Sequence, residues 1–235
     1  MKKLRTGIIG TGAIAEIAHL PELSKNTSVE LCGILSGHYE NACRAGERYN
    51  IAHPVHTLEE LVSLGLDCAF VLSPKQNHPE HVQFLLNSGI DVYCEKPLAM
   101  TLREADAMAE LSEKTGRKLM VGFNRRFAPV YQELKSVYKT QPPQVIIAQK
   151  NRPATEYRAT LENAIHMIDL MRYLCGECTS VHASALFEDP YYESSCTAYL
   201  TFEHGTSGIL VADRCAGQWG ESIEAHGNHT SVYVN

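Results

Sequence analysis

The first 122 residues alternate between apolar, strand-like segments and helical segments, and this alternation constrains the fold more than any other feature. Strand-like segments such as VELCGIL (29–35) and DCAFVLS (67–73) are separated by helical ones such as HPEHVQFLLNSG (78–89). DCAFVLS is apolar almost throughout, which is typical of a strand that is buried on both faces. Regular alternation of this kind indicates βαβ units, so we predict a doubly wound parallel sheet.

Two of the helical segments begin with the capping-box pattern, in which a threonine is followed three residues later by a glutamate. The two pairs are Thr57 with Glu60 and Thr101 with Glu104. In a capping box each side chain accepts a hydrogen bond from the backbone N–H of the other residue. The pattern therefore predicts that helices begin at these two threonines.

Beyond residue 122 the pattern is different. Helical segments FAPVYQELKSVY (127–138) and LENAIHMIDLMRYL (161–174) are followed by several strand-like segments in succession, and EHGTSG (203–208) has the composition of a hairpin turn. This order predicts an α+β domain with a mostly antiparallel, open sheet. We therefore expect two domains, residues 1–122 and residues 123–235.

Composition and charge exclude several classes of protein. Apolar residues make up 44% of the chain, charged residues make up 20%, and the formal net charge is −6 without a long basic run. These values argue against a surface for nucleic acid or anionic membrane. Glycines interrupt the apolar run near the start, so we expect no signal peptide or membrane span, and a cytoplasmic protein.

The chain has eight cysteines, several of them inside apolar strand-like segments. In a chain of this length without a signal peptide, they are predicted to be buried free thiols in a reducing compartment. Cys175 and Cys178 form a Cys-x-x-Cys pair, and His226 and His229 could add two ligands. A structural zinc site is thus an alternative, although no second Cys-x-x-Cys pair is present and we expect no metal.

Gly10, Gly12 and Ala15 form the pattern G-x-G-x-x-A between the first strand and the first helix. The first glycine permits a tight turn, the second lets the backbone approach a pyrophosphate, and the small third residue lets helix and strand pack closely. The helix that begins near Ala13 and Ile14 attracts the anion at its N-terminus. The pattern predicts a Rossmann dinucleotide site, and a plain tight turn is the alternative.

The end of the second strand bears on the choice of dinucleotide. An acidic residue about 20 positions after the glycines usually binds the ribose 2′-hydroxyl, but Ser36, Gly37 and His38 occupy this region. A carboxylate would repel a 2′-phosphate, whereas a hydroxyl and an imidazole can donate hydrogen bonds to one. The sequence therefore favours NADP over NAD, with use of both as the alternative.

Glu95 and Lys96 are two adjacent charges in the otherwise apolar segment YCEKPLAM. Charged side chains rarely occupy such surroundings without a partner or a function. Pro97 disfavours helical geometry at Lys96, and ligands of parallel sheets bind beyond the carboxyl ends of the strands. We predict that Lys96 faces the ligand, the alternative being a surface lysine paired with Glu95.

A second group of polar residues lies in the helical segment after residue 160. Glu162, His166, Asp169 and Tyr173 are spaced so that they share one face of a helix whose other faces are apolar. Such a face lines a cleft, is solvated, or satisfies itself internally, for example through a buried His166–Asp169 pair. The residues alone leave these alternatives open.

Five segments together resemble one family: GIIGTGAIA, SPKQNHPEH, CEKPLAM, GFNRRFAP and HMIDLMRYLCG. The chain resembles the glucose–fructose oxidoreductase, inositol dehydrogenase and MocA (Gfo/Idh/MocA) family from about Leu4 to its end. The resemblance implies an NAD(P)-dependent oxidoreductase that acts on sugars, cyclitols or related polyols. It also implies a Rossmann domain and a second domain whose open sheet commonly forms a dimer interface.

The resemblance assigns roles to individual residues. Lys96 matches a lysine that contacts substrate and cofactor, His166 matches an acid/base, and Asp169 matches the aspartate that follows it in the motif. Glu162 stands where many members have an aspartate. We therefore name Lys96, His166, Asp169 and Glu162 as candidate catalytic residues. The residues predicted to bind the cofactor are Gly10, Gly12, Ala13, Ile14, Ser36, His38, Ser73, Pro74, His78, Glu95, Lys96 and Arg125.

The resemblance also implies that the Lys96–Pro97 peptide bond is cis. Family members continue beyond the strand at which this chain ends, so we expect a shortened second domain. Oxidation of a secondary alcohol requires a base for the hydroxyl proton, which His166 can be near neutral pH, and a stabilised alkoxide, which Lys96 can provide. A non-catalytic, dinucleotide-binding sensor on the same fold is the alternative.

Overall fold

The computed structural model describes residues 2–154 and 156–235. The chain forms two compact units, Met1–Gly122 and Phe123–Asn235. None of the described helices is long and apolar enough to cross a membrane.

The first unit contains a six-stranded sheet in the order β3-β2-β1-β4-β5-β6, and every pair of neighbouring strands is parallel. The strands are β1 (Leu4–Ile9), β2 (Val29–Leu35), β3 (His53–Val55), β4 (Cys68–Val71), β5 (Asp91–Cys94) and β6 (Leu119–Val121). The predicted doubly wound parallel sheet is confirmed. Because β2 and β4 lie on opposite sides of β1, the strand order reverses there, and such a reversal opens a crevice at the carboxyl ends of the strands.

Helices connect these strands. They are α1 (Leu20–Leu23), α2 (Tyr39–Tyr49), α3 (Leu58–Ser63), α4 (His78–Asn87) and α5 (Leu102–Thr115). A π-helical segment, Ala15–His19, precedes α1, and a 3₁₀ turn, Lys75–Asn77, precedes α4. The buried apolar residues of β4 and β5 pack against α4 and α5 and form one of two core clusters in this unit.

The two predicted capping boxes have different outcomes. At the start of α5 both hydrogen bonds between Thr101 and Glu104 are present, so this box is confirmed. At the start of α3 the Thr57 side chain accepts a hydrogen bond from the Glu60 N–H. The Glu60 carboxylate, however, accepts from the N–H of His56 at 2.7 Å rather than from Thr57. The Thr57–Glu60 box is therefore only half formed, because the backbone brings the N–H of His56 within reach of the Glu60 carboxylate.

The second unit contains a six-stranded sheet in the order β12-β11-β7-β10-β9-β8. Its strands are β7 (Val145–Asn151), β8 (Cys178–Phe187), β9 (Glu193–Phe202), β10 (Ser207–Asp213), β11 (Gly220–Gly227) and β12 (Thr230–Val234). Only β7 and β10 pair in parallel, which confirms the predicted mostly antiparallel sheet. The EHGTSG segment joins β9 to β10 as an antiparallel hairpin, as predicted.

The helices of this unit are α6 (Pro129–Val137) and α7 (Ile165–Cys175), with a 3₁₀ turn, Asn124–Phe127, before α6 and a π-helical segment, Ala159–Ala164, before α7. Apolar residues of α6 and α7 form one core with residues from one face of the sheet, among them Ile146, Ala198 and Leu210. The opposite face carries exposed apolar residues, including Tyr199 and Ile209. Within the described residues, helices thus cover one face of the sheet and leave the other face, called the outer face here, without helices.

All eight cysteines are free thiols. Cys32, Cys94, Cys175 and Cys196 are buried, and burial raises the pKa of Cys175 to about 12. Cys215 is exposed, so the expectation of buried thiols is wrong there. It follows the end of β10, outside the sheet, where no core is available to cover it.

Candidate functional site

Backbone hydrogen bonds align the carboxyl ends of the central strands in the first unit. The N–H of Gly10 donates to the carbonyl of Leu35 at 2.8 Å, so the turn after β1 is fixed against the end of β2. On the other side of β1, the N–H of Leu72 donates to the carbonyl of Ile9 at 2.7 Å. The residues that follow β1, β2, β4 and β5, among them Gly10, Ser36, Ser73 and Lys96, are therefore at one edge of the sheet.

The two glycines after β1 are required for different reasons. Gly10 has φ +110°, and a methyl group on it would lie 2.5 Å from the backbone carbonyl of Leu72. A methyl group on Gly12 would meet no protein atom within 4 Å. Ala15 is completely buried, as a residue at a close contact between helix and strand must be. The open space above Gly12 fits the close approach of a pyrophosphate, and Ala13 and Ile14 follow it as the first helical residues.

Ser36 is held at the end of β2 by Thr11, since their hydroxyl oxygens are 2.7 Å apart. His38 is exposed and is the N-cap residue of α2. Neither residue carries a negative charge, and the carboxylate that would contact a ribose 2′-hydroxyl is absent from this described segment.

A cavity of about 320 Å³ opens beside Thr11 and extends along α2. Its lining residues are Thr11, Glu16, Asn41, Arg44, Ala45 and Arg48. Arg48 pairs with Glu16 at 3.0 Å, and Arg44 donates a hydrogen bond to Asn41. Sequence reasoning missed these two arginines because they are remote from Ser36 in sequence. Their helical spacing from Asn41, by three and then four residues, is the signal that could have identified them.

The loop after β4 is fastened to the turn after β5. His78 is 1% exposed, and its two ring nitrogens lie 2.9 Å from the carbonyl oxygen of Pro97 and 3.0 Å from that of Ser73. The hydroxyl of Ser73 lies 2.9 Å from Nδ1 of His81, whose pKa is lowered by burial. His78 thus holds the loop that carries Ser73 and Pro74 close to Lys96.

Glu95 and Lys96 form the turn after β5. The Lys96–Pro97 peptide bond is cis, as the family resemblance implied. Nε2 of His19, in the π-helical segment, lies 2.8 Å from one carboxylate oxygen of Glu95, and the backbone N–H of Lys96 donates to the other at 3.1 Å. Burial, and then the nearby Glu95 carboxylate, raise the pKa of Tyr93. Glu95 therefore connects the first helical segment to the Lys96 turn.

In the second unit, Glu162, His166 and Asp169 are all buried. The solvated helix face considered from the sequence is therefore wrong. Both oxygens of Asp169 accept hydrogen bonds from the guanidinium of Arg126, at 2.8 and 2.5 Å, so Asp169 forms a two-bond ion pair with Arg126. The sequence pattern missed Arg126, which lies 43 residues away from its partner.

Glu162 lies in the π-helical segment that precedes α7. One of its carboxylate oxygens accepts a hydrogen bond from the backbone N–H of Arg158 at 2.8 Å. The adjacent Asn163 donates its side-chain N–H to the carbonyl of Lys150 at 3.0 Å. The bond from Asn163 fastens the start of the helix that carries His166 to the end of β7.

Arg125, which we predicted to bind the cofactor, donates two hydrogen bonds to the carboxylate of Glu221, both at 2.9 Å. The completely buried Lys150 donates to the same carboxylate. Burial alone would raise the pKa of Glu221, but hydrogen bonds from Arg125 and Lys150 lower it to about 2. The three residues form an ion cluster whose carboxylate stays ionised.

The Cys175-x-x-Cys178 pair was the candidate zinc site. Across residues 2–154 and 156–235, no group of three or more His, Cys, Asp or Glu side chains is arranged to hold a metal ion. Cys178 instead donates from its thiol to the carbonyl of Ser180 at 3.3 Å.

Family models match both halves of the chain. Residues 4–123 match an oxidoreductase family with an NAD-binding Rossmann fold, and residues 133–233 match the GFO/IDH/MocA C-terminal domain. The chain belongs to the Gfo/Idh/MocA oxidoreductase family, so the resemblance inferred from its motifs is confirmed.

Individual proteins show the same relationship. The protein YceM of Salmonella typhimurium is 34% identical over 233 residues, covering 96% of this chain and 74% of its own length. The inositol 2-dehydrogenase of Acidiphilium cryptum is 32% identical over 212 residues, covering 80% and 62%. A scyllo-inositol dehydrogenase from Lactobacillus casei, solved with NAD(H) and scyllo-inositol, has a TM-score of 0.86 at 23% identity, covering 99% and 75%. At this identity the last comparison shows the shared fold alone.

Proposed function

We propose that the chain transfers a hydride between a nicotinamide cofactor and a secondary alcohol or ketone of a sugar, cyclitol or related polyol. The observation that carries this proposal is the turn at Gly10 and Gly12 together with the turn at Lys96, both at the carboxyl edge of a parallel sheet. In our proposal the first unit binds the dinucleotide, and the second binds substrate. Relatives named as inositol dehydrogenases support the substrate class.

The proposed chemistry assigns one task to each group. A bound oxidised nicotinamide would accept the hydride. His166 removes the hydroxyl proton as general base, and Lys96 stabilises the developing alkoxide with its ammonium group. Glu162 orients the start of the helix that carries His166, and Asp169 of that helix holds Arg126 of the 3₁₀ turn before α6.

We further propose that NADP is preferred to NAD. The support is the lack of a carboxylate at Ser36 to His38 together with Arg44 and Arg48 in the neighbouring cavity. Guanidinium groups bind phosphate through two parallel hydrogen bonds. Arg48 already pairs with Glu16, so Arg44 is the better candidate for a 2′-phosphate.

We propose that the chain forms a homodimer through the outer face of the second sheet, which is the face opposite α6 and α7. One row across this face runs through Tyr199, Ile209, Ile147, Glu224 and Tyr233 on adjacent strands. Tyr199, Ile209 and Tyr233 are exposed, and monomers rarely leave large apolar patches uncovered. A monomer in light scattering at high concentration would contradict this assembly.

Replacement of Lys96 tests the proposed function. Lys96→Ala should lower turnover by roughly 10²-fold or more, because the variant lacks the ammonium group that stabilises the alkoxide. Dinucleotide affinity, measured by calorimetry, should change little. Lys96→Arg should not restore turnover, since a guanidinium is larger and spreads its charge over a plane, whereas an ammonium is a compact point charge.

The matched control is Lys114→Ala, which removes an exposed lysine from the last turn of α5. It should leave both turnover and affinity unchanged. Unaltered kinetics in Lys96→Ala would refute the catalytic role. A chain that binds NADPH but turns over nothing in a broad polyol panel would favour the non-catalytic sensor.

A further inference from the structure

Arg152, just after β7, differs from the other arginines of the second unit. Five of the six arginines in residues 123–235 pair with a carboxylate within 4.0 Å. These pairs are Arg125–Glu221, Arg126–Asp169, Arg158–Glu193, Arg172–Glu177 and Arg214–Glu188. Arg152 has no such partner among the described residues, and its Nε is buried without a hydrogen-bond acceptor there.

Aromatic rings surround this guanidinium instead of carboxylates. Its carbon atom lies 4.3 Å from the centre of the Trp219 ring and 5.5 Å from that of Tyr157. Stacking on tryptophan fixes the plane of a guanidinium while leaving its N–H edge available. Burial lowers the pKa of Arg152, in keeping with a cation whose lost hydration is not replaced.

Glu221 acts electrostatically on Arg152, but its carboxylate has other hydrogen-bond partners. Glu221 already accepts hydrogen bonds from Arg125 and from Lys150. Lys150 lies 5.3 Å from the same Trp219 ring that Arg152 covers, so two cations approach this ring. The end of β7 therefore has more positive than negative charge, and Arg152 has no paired carboxylate in the described part of the chain.

An unpaired acceptor lies on the neighbouring helical segment. Asn163 is 1% exposed, and its side-chain N–H donates a hydrogen bond to the carbonyl of Lys150, two residues before Arg152. Its Oδ1 finds no donor among the described residues. A ligand that satisfies both groups would bring an anion to Arg152 and a hydroxyl to Asn163.

We propose that Arg152, stacked on Trp219, is an anion subsite of the substrate region, and that the substrate is a polyol bearing a carboxylate or a phosphate. This inference rests on the proposed function and narrows its substrate class. The planar guanidinium can donate two parallel hydrogen bonds to either anionic group, and Asn163 accepts from a hydroxyl of the same molecule.

Trp219 is the only tryptophan in the chain, so its fluorescence reports on this position directly. Titrations without dinucleotide would use D-glucuronate, D-glucose 6-phosphate and neutral D-glucose, with potassium chloride holding ionic strength constant. We expect a saturable fluorescence change with at least one of the two acids and none with glucose. Comparison of glucuronate with glucose 6-phosphate distinguishes a carboxylate ligand from a phosphate ligand. No saturable change with either acid, or an equal change with glucose, would overturn the proposal.

Variants separate recognition from folding. Arg152→Gln should raise the dissociation constant of the acidic ligand at least about tenfold. Arg152→Lys should recover only part of the lost affinity, because an ammonium lacks the planar fork of a guanidinium. Arg172→Gln, which removes a guanidinium from an exposed pair, should leave it unchanged. Persistence of the full response in Arg152→Gln, with folding checked by circular dichroism, would refute the subsite. A separate NADPH titration tests the dinucleotide site, so failure of either proposal is recognised independently.

Discussion

The two units of the chain position their candidate functional groups by different physical means. In the first unit the groups follow consecutive strands of one parallel sheet, and the backbone places them, as the Gly10 turn illustrates. In the second unit buried ion pairs hold them, such as Asp169 with Arg126 and Glu221 with Arg125 and Lys150. The first arrangement depends on the absence of side chains, and the second depends on charge compensation.

This difference predicts where each unit is vulnerable. A backbone-built site fails when a side chain is added, whereas an ion-pair site fails when a charge is removed. Removing one partner of a buried pair is costly because the other charge remains buried without compensation. The experiments below test this contrast, beginning with the largest expected effect.

Replacement of Glu221 should damage the second unit most. Glu221→Gln removes the carboxylate that Arg125 shares with the completely buried Lys150. We therefore expect a loss of roughly 3–5 kcal/mol in the free energy of unfolding. Chemical denaturation at neutral pH measures it. The control Glu177→Gln breaks the exposed pair with Arg172 and should cost less than about 1 kcal/mol. Equal losses in both variants would contradict the argument.

The same carboxylate sets a pH dependence. The pKa of Glu221 is lowered to about 2 in the folded chain, below the usual value of about 4.3 in an unfolded chain. Its contribution to stability is therefore complete above about pH 4.3 and is lost as the pH falls from there towards 2. Glu221→Gln should lose less stability across this range than the parent chain does.

The two glycines of the first unit should respond differently to an added side chain. Gly10→Ala places a methyl against the backbone of Leu72 at a φ of +110°, so we expect a loss of stability of roughly 1–3 kcal/mol or more. Gly12→Val meets open space in the protein, so stability should change little while dinucleotide affinity falls at least about tenfold. Thermal unfolding and calorimetry separate the two. Unchanged affinity in Gly12→Val would remove the support for a pyrophosphate above this residue.

The same contrast explains how much could be predicted from the sequence. The parallel sheet, the glycine turn and the position of Lys96 after β5 could be inferred, because strand period, turn chemistry and sheet polarity are local properties. The cluster at Glu221 could not be inferred, since its partners Arg125 and Lys150 lie 96 and 71 residues away. Helical spacing predicted that Glu162, His166 and Asp169 share a face, but it did not predict that Arg126 would pair with Asp169. Pairing between distant charges depends on tertiary packing, which single-sequence patterns do not contain.

The smallest expected effect concerns the choice between NADP and NAD. Here the proposed dinucleotide site of the first unit depends on a side chain, Arg44, in addition to the backbone. Arg44→Gln should weaken NADPH binding by about tenfold, or about 1.4 kcal/mol, because a guanidinium bound to a phosphate is lost. NADH affinity should stay constant, since NADH has no 2′-phosphate. Ser36→Asp should shift the ratio further towards NADH by placing a carboxylate beside the ribose. Arg103→Gln, an exposed arginine on α5, is the control and should alter neither affinity. Calorimetry that finds a clear NADH preference in the parent chain, or an equal loss of both cofactors in Arg44→Gln, would show that the cavity along α2 does not select the 2′-phosphate.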